Sequence, residues 1–190
     1  MDWKWRASLV TAIRSCIRKI LRIPNWIPSY RYFGSARRRL KIRNRPRLSV
    51  GHFEEHHKLY RSFDRDDIDA QTEQLKVASI LFPDLSCNWS LFSIPEDVRL
   101  RPGARQSDGC YSFTVQVARY RRLANPVHDP MRTGLYENCA HVEVRELTEG
   151  EGFDVEPPPR RRFRSKTRKS RRLEYRQNLA LRSIVELSTL

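Results

Sequence analysis

Apolar positions recur at helical spacing most clearly near the start of the chain. At about 100° per residue, Trp5, Leu9, Ala12, Ile13, Cys16, Ile17, Ile20 and Leu21 share one face, while Lys4, Arg14, Arg18, Lys19 and Arg22 share the other. The spacing predicts an amphipathic helix over residues 3–22, closed by Pro24. A basic helix with tryptophan near one end can lie in a membrane interface, and an acid-poor, Arg- and Ser-containing start also suits a transit segment. The favoured reading is a terminal helix that docks its apolar face on its own domain or on a partner. Residues 24–33 are aromatic and broken by proline, which predicts an extended linker.

Further along, the pattern turns domain-like. Tyr111, Phe113, Val115 and Val117 alternate with polar residues just after the Asp108-Gly109 turn signal, and Ala140, Val142 and Val144 alternate with His141, Glu143 and Arg145. Both runs predict half-buried strands, the first pairing with residues 98–101. Residues 75–82 form a short apolar run ended by Pro83, read as a strand in preference to a helix. Residues 123–138 carry two prolines, a glycine and two asparagines and read as a long loop. Pro157-Pro158-Pro159 closes the domain, and residues 173–187 return to helical spacing with Tyr175, Leu179, Leu181 and Ile184 available to dock. The expected fold class is α+β: a small antiparallel-sheet domain with basic, partly helical or disordered extensions at both ends.

Charge divides the chain at the same places. Residues 1–53 carry 14 Lys/Arg and one acid, net +13; residues 54–156 carry 12 against 19, net −7; residues 157–190 carry 11 against 2, net +9. The expected organisation is a basic arm (1–53), an acidic domain (54–156) and a basic tail with a short helix (157–190). Basic arms neutralise phosphate and release counterions, giving salt-sensitive and largely sequence-independent binding to nucleic acid. They can also fold back on the acidic centre or sit on anionic lipid. Nucleic acid or a ribonucleoprotein is the favoured partner class, with Arg37, Arg38, Arg39, Lys41 and Arg43 in the first arm and Arg160, Arg161, Arg162, Arg164, Arg168 and Lys169 in the second as the contacts. A membrane surface held through residues 3–22 is the other.

Candidate chemistry is sparse. Cys16, Cys87, Cys110 and Cys139 include no CxxC pair, so reduced thiols are expected, and neither a structural metal nor a cofactor. There is no GxxxxGK[ST], GxGxxG or GxSxG string, which argues against P-loop, Rossmann and α/β-hydrolase chemistry. His128-Asp129 and the alternating His141, Glu143 and Arg145 form the most chemically suggestive group, because a strand sends the last three to one face. His128, His141 and Glu143 are candidate acid, base or metal-ligand groups for a hydrolase or nuclease; the bland and favoured reading is the wet face of a strand. His52, Glu55, His56 and His57 form a second cluster that does not meet HExxH.

The strings Ser93-Ile94-Pro95-Glu96-Asp97-Val98, His128-Asp129-Pro130 and Glu137-Asn138-Cys139-Ala140-His141-Val142-Glu143-Val144 carry a likeness. Together they resemble a group of small uncharacterised bacterial proteins with the motifs S-x-P-E-D-V, H-D-P and E-N-x-A-H-x-E-V. The resemblance runs over roughly residues 58–156, outside the N-terminal arm. It implies a bacterial, cytoplasmic protein and lends some weight to His128-Asp129 and His141-x-Glu143, but it implies no activity.

Overall fold

A computed structural model describes residues 40–42, 45–83, 85–105, 107–134, 136–159 and 166–189. The helix expected over 3–22, the linker over 24–33, and Arg37, Arg38, Arg39, Arg43, Arg160, Arg161, Arg162 and Arg164 lie outside the described residues. Within them the fold is α+β. Six strands form one antiparallel sheet in the order β4-β7-β2-β1-β3-β8. These are β1 (Lys58–Phe63), β2 (Leu85–Trp89), β3 (Gly109–Thr114), β4 (Ala124–His128), β7 (His141–Glu146) and β8 (Ile184–Leu187). A two-stranded ribbon, β5 (Met131–Thr133) with β6 (Tyr136–Asn138), projects between β4 and β7. Two helices, α1 (Val115–Ala118) and α2 (Lys166–Arg182), and several 3-10 turns complete it. No helix among the described residues is long and apolar enough to cross a membrane.

Cross-strand register divides the sheet into two unlike faces. Leu59 sits opposite Trp89 and Phe113, Cys87 opposite Val142, and Leu85 opposite Val144, so one face is an apolar layer, interrupted at Arg61 opposite Tyr111. Tyr60 sits opposite Asn88 and Ser112, Asn88 opposite His141, and Ser86 opposite Glu143, so the other face is polar. The period of two along each strand dictates this segregation. The apolar layer is covered by Leu40, Phe53, Ile80 and Phe92 and by Tyr175 and Leu179 of α2. Phe53 stacks on Trp89 at 4.0 Å, and Phe82 packs on Tyr175 at 4.2 Å.

This packing moves both expected domain boundaries outward. Leu40, Leu48, Val50 and Phe53, placed in the first arm, are buried in the core, because the apolar members of the alternating Arg/Leu run turn inward. At the other end, Tyr175 and Leu179 lie one helical turn apart and are fully buried, and the chain then returns to the sheet as β8. Segment 54–156 alone therefore lacks an edge strand and part of its core.

Several elements differ from expectation for local reasons. Residues 75–82 form a 3-10 turn, Val77–Ser79, with only Leu75 and Ile80 buried, so no strand alternation is satisfied. Residues 98–100 belong to the 3-10 turn Pro95–Leu100, with Arg101 as its C-cap. There Pro95 presets the first φ and the Asp97 carboxylate accepts the Ile94 N–H at 3.1 Å. The predicted strand at 111–117 stops at Thr114, whose hydroxyl caps α1 by accepting the Val117 N–H. Residues 124–128, expected as loop, form β4, an edge strand that tolerates Pro126. The helical stretch expected at 173–187 is α2 followed by β8.

Candidate functional site

His128 lies in the core, with none of its surface exposed. Its Nδ1 accepts the Leu48 N–H at 2.9 Å and its Nε2 donates to the Cys139 carbonyl at 2.7 Å. Phe92 stacks on the ring at 5.4 Å and Trp89 meets it edge-on at 5.5 Å. Burial holds its pKa below the ordinary imidazole value, with the Cys139 bond acting in the opposite direction. Both nitrogens are thus committed to backbone groups, and the neutral ring acts as a pin joining residues 48, 128 and 139. The geometry takes His128 out of the candidate catalytic set.

Glu143 is also committed. Arg145, buried on β7, holds Glu143 and Asp129 at 2.8 Å each and Glu156 at 3.5 Å, and donates to the Pro157 carbonyl at 3.3 Å. Arg47 pairs with the same Glu156 and donates to the His128 carbonyl at 2.9 Å. The expectation that His141, Glu143 and Arg145 share a face is met by the alternation of β7, but the nearest work for Glu143 is ion pairing. A buried guanidinium is held only where carboxylates surround it. The cluster also fastens the chain at Arg47 to the chain at Glu156, so the roots of both arms meet at one point.

His141 is placed differently. Its Nδ1 lies 2.7 Å from the Asp129 carbonyl, which can only accept, so Nδ1 carries the proton. In the neutral ring Nε2 is then an acceptor, and it has no hydrogen bond among the described residues. His141 lines a cleft of about 320 Å³ on the polar side of the sheet. Tyr60 and Ser62 of β1, Ser86 and Asn88 of β2 and His141 share that face. Val98, Arg101 and Pro102 form one wall, and Met131, Thr133, Tyr136 and Asn138 of the β5-β6 ribbon form the other. Neither His128 nor Glu143 reaches it, so of the three candidate catalytic residues one alone faces the cleft.

A satisfied amide network stiffens the cleft. Asn138 Nδ2 donates to Asn88 Oδ1 at 2.7 Å, Asn88 Nδ2 to Ser93 Oγ at 3.3 Å, and Ser93 Oγ to Asp97 at 3.3 Å. The Ala140 N–H closes on Asn138 Oδ1 at 3.0 Å. Burial pushes the Tyr136 phenol pKa up, against Asn138 and Arg101 beside it. The motif Ser93 to Val98 thus builds this support rather than a catalytic group. Tyr60, Arg101 and Tyr136 were missed from sequence; the alternation Lys58, Tyr60, Ser62 against Leu59 and Phe63 was the available signal.

Glu54, His56 and His57 bring ligand atoms within 4.8 Å of one another. His57 Nδ1, however, already accepts the Glu54 N–H at 3.0 Å, which leaves its proton on Nε2. A metal there would have to break that bond, and the neighbouring His52 bonds Ser49 instead. Among the described arm residues, Lys41 and Lys169 are exposed, whereas Arg168 pairs with Glu146 at 3.9 Å, beside Arg172 at 2.6 Å. Cys87, Cys110 and Cys139 are buried thiols, with burial raising Cys87 and Cys110 to about 12 and Cys139 to about 11. No family model, curated protein or solved structure matches the chain.

Proposed function

We propose that this protein binds nucleic acid or a ribonucleoprotein, its two basic arms contacting phosphates while the sheet domain fixes where the arms begin. The observation that carries this reading is the division of charge into +13, −7 and +9, with the arm roots joined through Arg47, Glu156 and Arg145. Two arms tethered at one place add their fields, which favours a polyanion over scattered small anions. Folding back onto the acidic domain accounts for Arg47, Arg168 and Arg172, which have carboxylate partners; Lys41 and Lys169 point to solvent. The likeness to bacterial proteins supports a cytoplasmic setting. The test is fluorescence anisotropy of a labelled oligonucleotide with the full chain and with a variant carrying Arg160→Gln, Arg161→Gln, Arg162→Gln and Arg164→Gln. Weakened binding in the variant is expected, and equal affinity would refute the arm contacts.

The second reading is a hydrolase or nuclease, and one observation favours it. His141 presents an acceptor nitrogen to a cleft while the Asp129 carbonyl fixes its tautomer, the arrangement of a general base. Among the described residues the same arrangement has no companion acid, since Glu143 is held by Arg145. Hydrolysis of an oligonucleotide that survives Glu143→Gln and is lost in His141→Gln would support this reading; no hydrolysis by the intact chain would sink it.

A further inference from the structure

We infer that the cleft on the polar side of the sheet is a binding site for one nucleotide unit, a flat ring bearing a phosphate. The inference rests on the cleft alone, independent of the arms. The first ground is charge. Residues 54–156 carry seven more acids than bases, yet among the described residues no carboxylate lines the cleft, while Arg61, Arg101 and His141 do. A cleft without carboxylates in an acidic domain selects for an anion or for a ligand rich in acceptors. Arg101 is exposed, and its planar guanidinium suits a phosphate better than a point charge would.

The second ground is unspent hydrogen-bonding capacity. Ser62 is buried on the cleft's floor and its hydroxyl has no partner among the described residues. His141, with Nδ1 fixed on the Asp129 carbonyl, has no hydrogen bond at Nε2 among the described residues. The amides of Asn88 and Asn138 are spent on each other and on their neighbours, so the floor is rigid and the open groups are few. Buried polar groups left unpaired are uncommon in native proteins and mark places where something else arrives.

The third ground is shape. Tyr60 and Tyr136 offer aromatic rings from the floor and one wall, with Val98, Pro102 and Met131 supplying apolar surface between. Stacking on such rings tolerates any base, because each base has a π-face. A volume of about 320 Å³ lies at the small end of the range for small-molecule sites, enough for one nucleotide and too little for a duplex. The unit can come from a free nucleotide or from an unpaired residue of a strand; the chemistry recognised is the same.

The test is calorimetry of the full chain with adenosine monophosphate, adenosine and inorganic phosphate. Adenosine monophosphate should bind more tightly than either part. Arg101→Gln should weaken it about tenfold, and Tyr136→Ala should weaken adenosine as well. Both side chains sit on the walls, and unchanged melting temperatures confirm that the variants fold. The variant with four arm arginines replaced should bind adenosine monophosphate as the wild type does. Displacement of a short single strand from that variant by the mononucleotide assigns the site to polymer; binding without such displacement assigns it to free nucleotide; either supports the site. No binding of the mononucleotide at millimolar concentration, or binding indifferent to Arg101→Gln and Tyr136→Ala, overturns it. If the wild type still binds oligonucleotide in a salt-dependent way, that failure leaves the arm reading standing.

Discussion

Tyr175 tests whether the tail helix is part of the domain or an appendage. Its ring is fully buried against Phe82 at 4.2 Å, and its hydroxyl donates to the Ala118 carbonyl at 2.7 Å. Truncating a buried aromatic to alanine costs about 3–5 kcal/mol, and the lost hydroxyl bond adds roughly 1 kcal/mol. Tyr175→Ala should therefore destabilise the full chain by about 4–6 kcal/mol. Tyr175→Phe, which removes the hydroxyl alone, should cost about 1 kcal/mol. Urea unfolding followed by tryptophan fluorescence reads both. With an m-value of about 2 kcal/mol/M, the alanine variant should lower the midpoint by about 2–3 M, or be unfolded without urea. A loss below about 0.5 kcal/mol, the size of an ordinary surface substitution, would show that α2 is not packed on the sheet and would restore the domain boundary near the proline triplet.

Two further outcomes follow from the same packing. Burial depresses the His128 pKa, so as pH falls below about 6.5 the unfolded chain takes up a proton that the folded chain resists. Stability should decline from there down to the folded pKa, and this group should add no pH dependence at higher pH. His57 shifts in the same direction, so the reading is the difference: His128→Gln should flatten the fall in melting temperature between pH 7 and pH 5, and an unchanged slope would contradict the assignment. Arg121 and Arg122 adopt φ of 48° and 55°, a region disfavoured for any residue with a Cβ. Arg122→Gly should be about 1 kcal/mol more stable than Arg122→Ala, reversing the usual order, as chemical denaturation would show.

The elements legible from sequence were those with uninterrupted alternation. β7 reads His141-Val142-Glu143-Val144 and β3 reads Tyr111-Ser112-Phe113, and both form strands because one face of each meets the core. β4 was illegible because its buried positions include Asn125, Pro126 and His128. Each polar member is satisfied by a remote partner: Asn125 by Arg119 and by the Phe153 and Val155 carbonyls, His128 by Leu48 and Cys139. No local pattern announces such partners. The basic runs misled in a related way. Arginine composition signalled an arm, yet Arg45 meets the Cys139 thiol and Arg47 pairs with Glu156, while the leucines between them enter the core.

The candidate site divides along the same line. The common face of His141, Glu143 and Arg145 follows from a period of two, and that much was readable. What separated them was register and charge: Arg145 claims Glu143, and pairing with Asn88 sets His141 over the cleft. One cleft wall comes from residues 98–102, distant in the chain, so Arg101 meets His141 only through topology, whereas Tyr136 on the β5-β6 ribbon precedes His141 by five residues.

The central claim is that the arms hold nucleic acid through phosphate contacts, and the salt dependence of binding tests it most directly. Each phosphate contact contributes roughly 0.7–0.9 to the slope of log K against log salt, single strands at the lower end. The full chain should show a steep negative slope, and replacing Arg160, Arg161, Arg162 and Arg164 by glutamine should make it shallower by about 3. A slope near zero for the intact protein, or one unchanged by removing those four charges, would contradict the account.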